Sequence, residues 1–247
     1  MIYSPPMKIL TVDVGTGTQD IYLYDSQVDI ENGYKLVLPS PTMLVNQRIK
    51  EATRRRQPIL LMGRIMGGGP SQWAAEAHLR AGLLVYAVPE AARSFNDDLS
   101  VVEEMGIRLV SEDEAVRLPQ AVQRLELRDF DFRAIQQAFA LFGVSLSDLA
   151  AVAVGVFDHG NAPPQVSDRQ FRFDYLDQRI REANRLSAFA YLADDIPPIM
   201  IRLQAVVDSA GSIGCQLVVM DTAPAAILGA TFDPQLSGCE KLLIANV

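Results

Sequence analysis

Along most of this chain, continuous apolar runs alternate with segments of helical spacing, and no other feature constrains its fold as strongly. Ile59 to Gly63, Leu83 to Val88 and Ala150 to Phe157 are apolar at odd and even positions alike, the pattern of strands covered on both faces. Between them, Thr42 to Arg56, Ser71 to Ala81, Leu99 to Met105 and Asp131 to Phe142 are spaced as helices. The last shows its stripe in Phe132, Ile135, Phe139 and Phe142, with Gly143 as its stop. The class is therefore α/β, with parallel strands between helices. Tyr34 to Leu38, Ile107 to Val110, Gln216 to Met220 and Lys241 to Val247 are further expected strands. Tyr175 to Ala193, Pro198 to Ala210 and Ala223 to Leu228 are further expected helices, Pro198 standing where a missing N–H costs nothing. At 247 residues and 49% hydrophobic, the chain can bury a substantial core as one or two domains.

The first apolar run, Ile9 to Val14, meets Ile21 to Asp25 across a short turn of glycine and threonine. Gly15 and Gly17 are able to take positive φ, letting main-chain N–H groups crowd round an anion. The Thr16 and Thr18 hydroxyls add donors, and Asp13, at a strand end, suits a divalent cation held through water. An ordinary β-hairpin with glycine in its tight turn accounts for the same residues.

Asp13-Val14-Gly15-Thr16-Gly17-Thr18 resembles the first phosphate motif of the actin, Hsp70 and sugar-kinase superfamily. The resemblance implies a ribonuclease-H-like actin-type ATPase lobe: a three-stranded meander, then helices alternating with strands 150–157 and 216–220. Residues 1–38 and 131–247 would form that core, and 39–130 an inserted α/β subdomain. It also implies ATP and Mg²⁺, with Gly15, Thr16, Gly17 and Thr18 on the phosphate and Asp13 on the metal. The chain departs from the motif at Asp20, where actin and Hsp70 place a phosphate-binding lysine. A carboxylate there repels phosphate unless a metal intervenes, which makes Asp20 a second candidate metal residue.

Met220-Asp221-Thr222-Ala223-Pro224 places a carboxylate at the end of a buried strand and directly before a helix, where ligands of parallel sheets bind. The segment is similar to the Asn-Asp-Thr turn of hexokinases, which implies that Asp221 is a general base. Asp221 or Thr222 as a helix cap is the structural account. Asp158 and His159 leave the preceding core strand and are candidates for substrate or metal contact or proton relay, although Asp-His-Gly-Asn is also good turn composition. Ser167 to Phe173 offers Arg169 and Arg172 to an anion, and its alternation equally describes an exposed strand. Gly67-Gly68-Gly69 joins a strand to a helix without the ending of a P-loop, so tight-turn chemistry explains it.

A net charge of −8 argues against nucleic acid as the main partner. Arg54-Arg55-Arg56 fits the C-terminal turn of a helix. The two cysteines, Cys215 and Cys239, are far apart, so one chain builds neither a zinc knuckle nor an iron–sulfur cradle. No signal peptide or bilayer-spanning run is legible, and a cytoplasmic protein is expected. By the resemblance, a chain that stops on the apolar run 241–247 holds the first lobe only, with the second phosphate loop missing.

The Asp-Val-Gly-Thr opening, Asp-His-Gly loop and Asp-Thr-Ala-Pro turn are also similar to an archaeal and bacterial family, some of whose members carry a label relating them to pyruvate formate-lyase activating enzyme. Radical chemistry of that kind needs three clustered cysteines, which this chain lacks. The leading expectation is a nucleotide-phosphate-binding protein with a small-molecule substrate, performing ATP-dependent phosphoryl transfer or hydrolysis. A non-catalytic binding or regulatory module on the same fold is the second reading, and either is compatible with a homo-oligomer. A metal-dependent hydrolase using Asp13, Asp20, Asp158 and Asp221 as a carboxylate cluster is the third.

Overall fold

The computed structural model describes residues 6–163, 165–236, 239, 241, 243 and 244. The chain opens with β1 (Lys8–Val14), β2 (Thr18–Asp25) and β3 (Tyr34–Pro39). There follow α1 (Pro41–Arg54), β4 (Ile59–Gly63), α2 (Gly69–Arg80), β5 (Val85–Ala87), α3 (Pro89–Ala92), α4 (Leu99–Glu104), β6 (Arg108–Leu109), α5 (Glu112–Arg117) and β7 (Gln123–Leu127). It continues through α6 (Phe132–Leu141), β8 (Leu149–Val156), α7 (Asp168–Ala183), β9 (Ala190–Leu192), α8 (Ile201–Ala210), β10 (Gln216–Asp221) and α9 (Thr222–Ala230). These elements form two compact units. Met1–Val14, Asp20–Leu36 and Phe132–Val247 make the first, and Gly15–Gln19 with Val37–Asp131 the second.

The first unit is built on a six-stranded mixed sheet in the order β3-β2-β1-β8-β10-β9. β1, β8 and β10 run parallel, and β9 pairs antiparallel with β10 at the edge. Leu10, Val12, Ile21, Leu23, Val152, Val154 and Val219 are buried, so successive strands present one apolar face to the same core. The second unit is a parallel four-stranded sheet, β6-β5-β4-β7. Its middle strand β4 places Ile59, Leu60 and Leu61 in full burial, as a strand covered on both faces requires.

Local chemistry sets the helix starts. Ser40 caps α1 with Pro41 behind it, and Ser111 with Glu114 forms a reciprocal capping box on α5. That box was a legible signal for α5, yet neither α5 nor the half-buried Gln-Arg-Leu-Glu-Leu of β7 is expected from apolar runs alone. The short edge strand β9 also escapes them. Ser167 to Phe173 is no exposed strand. Ser167 caps α7, which begins at Asp168 and ends at Ala183, where Asn184 takes a left-handed φ of 48°. The helix expected over 175–193 thus starts earlier and stops sooner. Of the strand expected over 241–247, Lys241, Leu243 and Ile244 lie outside any strand, and the other positions lie outside the described residues. Among the described residues, no helix is long and apolar enough to cross a membrane.

Inside the second unit, His78 of α2 is fully buried, with Nδ1 2.8 Å from the Thr53 hydroxyl of α1. Burial holds its pKa below the usual 6.5, and the nearby Leu84 main chain offsets this only in part. The unfolded chain therefore takes up a proton here before the folded one does. Stability falls as pH drops below about 6.5 and down to the depressed folded value. Urea midpoints measured at pH 7.5 and 5.5 should differ more for the wild type than for His78→Gln. Equal differences would remove His78 from the pH dependence.

Candidate active site at the strand ends of the first unit

The register of the three parallel strands decides which side chains meet. Asp13 aligns with Gly155, and Gly155 with Met220; one step on, Val14 aligns with Val156, and Val156 with Asp221. Aligned residues share a face and successive residues alternate. Asp13 and Asp221 therefore belong to opposite faces of the sheet, and they do not form one carboxylate cluster. Asp13 is exposed between buried Val12 and Val14. Asp20 is likewise exposed, between buried Gln19 and Ile21 of β2.

What reaches Asp13 is Thr222, the first residue of α9, whose hydroxyl donates to Asp13 Oδ1 at 2.7 Å. Between their strands lies Gly155, where a Cβ would stand 3.2 Å from the same oxygen. The middle strand is bare at that point, and an exposed carboxylate and a hydroxyl share the space. Both are hard oxygen donors, of the kind Mg²⁺ takes when one or two carboxylates hold it and phosphate and water complete its shell. The donor set fits that ion. Thr222 in this role and Gly155 were missed from sequence; a glycine inside an otherwise Ala/Val strand was the available signal.

On the opposite face Asp221 is 4% exposed and fully engaged. Arg172 of α7 grips it with Nη2 at 2.6 Å from Oδ1 and Nε at 3.0 Å from Oδ2. Oδ1 also accepts the Ala223 N–H at 3.0 Å as the cap of α9, and Oδ2 accepts the Asp158 N–H at 3.2 Å. Phe157 lies under the guanidinium, its ring centre 4.2 Å away. The second arginine expected to meet an anion, Arg169, is exposed. Arg172 is spent on a carboxylate of its own chain.

Asp158 is fully buried, with Oδ1 accepting Gly160 N–H and Oδ2 accepting Leu203 N–H, both at 2.8 Å. Burial pushes its carboxyl up, against the two main-chain donors and nearby Arg202 and His159, which favour the anion. It ties the loop after β8 to the first turn of α8. Arg202 of α8 donates to the Phe157 carbonyl. His159 is half-buried in the same loop.

The turn residues Gly15, Thr16, Gly17 and Thr18 belong to the second unit. Neither glycine takes the positive φ expected of it. The turn is instead shaped by tethers: Ser40 donates its hydroxyl to the Thr16 carbonyl at 2.6 Å and its N–H to the Gly17 carbonyl at 3.0 Å. With the carbonyls held and Gly15 N–H on Thr18 O at 2.9 Å, no left-handed residue is needed. A Cβ on Gly15 would meet Thr18 O at 3.0 Å, a tight contact that favours glycine, whereas Gly17 faces open space. Thr16 and Gly17 are exposed, and their N–H groups have no hydrogen-bond partner among the described residues. In the Gly67–Gly69 loop, a Cβ on Gly68 would lie 1.9 Å from Ser94 O, and Gly67 N–H is used by Asp129 at 3.1 Å. Close packing accounts for Gly68.

The chain belongs to the family described as "Putative pyruvate format-lyase activating enzyme (DUF1786)", whose profile matches residues 66–247. That span includes Asp158, Arg172, Asp221 and Thr222 and leaves out the β1–β2 hairpin. No curated protein matches the chain.

Proposed function

We propose that this family member binds the phosphates of a nucleotide such as ATP with Mg²⁺, on a ribonuclease-H-like unit of the actin type. The observation that carries the reading is the Asp13–Thr222 contact beside the bare Gly155, at the carboxyl ends of parallel strands. The strand order β3-β2-β1-β8-β10, with β1, β8 and β10 parallel, supports the fold assignment. Asp13 would hold the ion, with the Thr222 hydroxyl as its neighbour. Mg²⁺ there would neutralise phosphate charge. Separately, the unpartnered N–H groups of Thr16 and Gly17 suit a phosphate oxygen.

Asp221 does not serve as general base in this reading. Both its oxygens are committed to Arg172 and to main-chain N–H groups, and taking a proton would break the pair. That engagement favours a binding or regulatory unit over a kinase whose base is Asp221. The radical chemistry in the family's description needs an iron–sulfur cluster on several thiolates. This chain has two cysteines, Cys215 half-buried and Cys239 exposed, so its donor set does not fit that cluster.

Calorimetric titration of ATP in Mg²⁺ tests the proposal. Heat of binding that disappears in EDTA is the expected result. No binding with Mg²⁺ or Mn²⁺ would end the nucleotide reading.

A further inference from the structure

The buried arginine has no place in the reading above, and its contacts give it one. α7 buries a single side chain, Arg172, among its sixteen described residues. That side chain ends on Asp221, the cap of α9, and Thr222 is the next residue along the chain. Asp221 is also the point where the loop after β8 is fastened, through Asp158 N–H. Three elements therefore converge on one carboxylate, and the orientation of the first turn of α9 depends on it. Alternation puts Asp221 and Thr222 on opposite sides of the chain, so a fixed Asp221 fixes where the Thr222 hydroxyl points.

We propose that Arg172 is a positioning residue: by gripping both oxygens of Asp221 from one face of the sheet, it fixes the Thr222 hydroxyl on Asp13 at the other. The inference rests on the Asp13 site as a cation site, and it adds the element that sets the site's geometry. A bidentate guanidinium is suited to the task, because its planar fork fixes direction as well as distance. Lysine, a point charge, keeps the pair but loses the fork.

The test uses Mn²⁺ alone as probe, read by electron paramagnetic resonance on the full chain, with thermal unfolding run beside it to count only folded protein. Mn²⁺ bound by the wild type and lost in Asp13→Ala is the baseline; its absence would refute the cation site itself. Given that baseline, Thr222→Val should weaken Mn²⁺ about 10-fold, the scale on which removing a supporting group lowers metal affinity. Arg172→Lys should lower it several-fold and broaden the bound signal, while Arg172→Met should lower it at least as far as Thr222→Val. Wild-type affinity in folded Arg172→Lys and Arg172→Met would overturn the positioning role and leave the cation site standing. If Arg172→Met does not fold, Thr222→Val and Arg172→Lys decide. Unchanged Mn²⁺ affinity in Thr222→Val overturns the proposal by itself, since the route from Arg172 runs through that hydroxyl.

Discussion

Asp13→Ala should abolish Mg²⁺-dependent ATP binding while leaving the fold intact. The carboxylate is exposed, and its hydrogen bond in the structure is the one it accepts from Thr222. Removing a surface side chain with one such contact changes stability by roughly 0.5 kcal/mol or less. The effect on the ligand is of another order. Loss of groups that merely support a metal ligand costs about 10–100-fold in affinity, and a direct ligand costs more. A drop of at least about 100-fold in calorimetric affinity, with an unchanged urea midpoint, is therefore expected. Asp13→Asn should fall between the two, because the amide keeps an oxygen but not the charge. Wild-type affinity in Asp13→Ala would move the cation elsewhere and sink the site described here.

Much of the fold was legible because burial leaves marks in composition. The run Ile59–Gly63 is β4 to the residue, and its all-apolar character follows from a strand covered on both faces. β7 was not legible, since Gln123-Arg124-Leu125-Glu126-Leu127 buries only Leu125 and Leu127 and carries polar or charged side chains on the others. Site residues were legible as types and positions, not as partners. Asp13, Asp158 and Asp221 do stand at the ends of neighbouring strands, as expected of residues that follow apolar runs. Whether two of them face each other depends on parallel register, and a shift of one residue inverts the answer. No local signal encodes that register. Arg172 was legible as an arginine for an anion, but not as the partner of Asp221: its alternating neighbours Arg169 to Phe173 fit a strand as well as a helix, and only the Ser167 cap tips the balance.

Asp221→Ala separates the two roles proposed for that carboxylate, because they predict opposite signatures. A general base waiting in a cleft could be truncated with small loss of stability and large loss of turnover. The observed Asp221 is instead one half of a buried ion pair, both side chains 6% exposed, and the cap of α9. Removing it leaves the Arg172 guanidinium buried without its partner, which costs about 3–5 kcal/mol. The lost cap adds about 1 kcal/mol. Against a total stability of about 5–15 kcal/mol for a typical domain, the variant should unfold at markedly lower urea or be largely unfolded at 37 °C. Asp221→Asn keeps an oxygen for the Ala223 N–H and should lose less, since asparagine caps helices well and still accepts from the guanidinium. An alanine variant as stable as the wild type would mean that Arg172 finds another partner at no cost. The carboxylate would then be available for chemistry, and the base would have to be looked for at Asp221 after all.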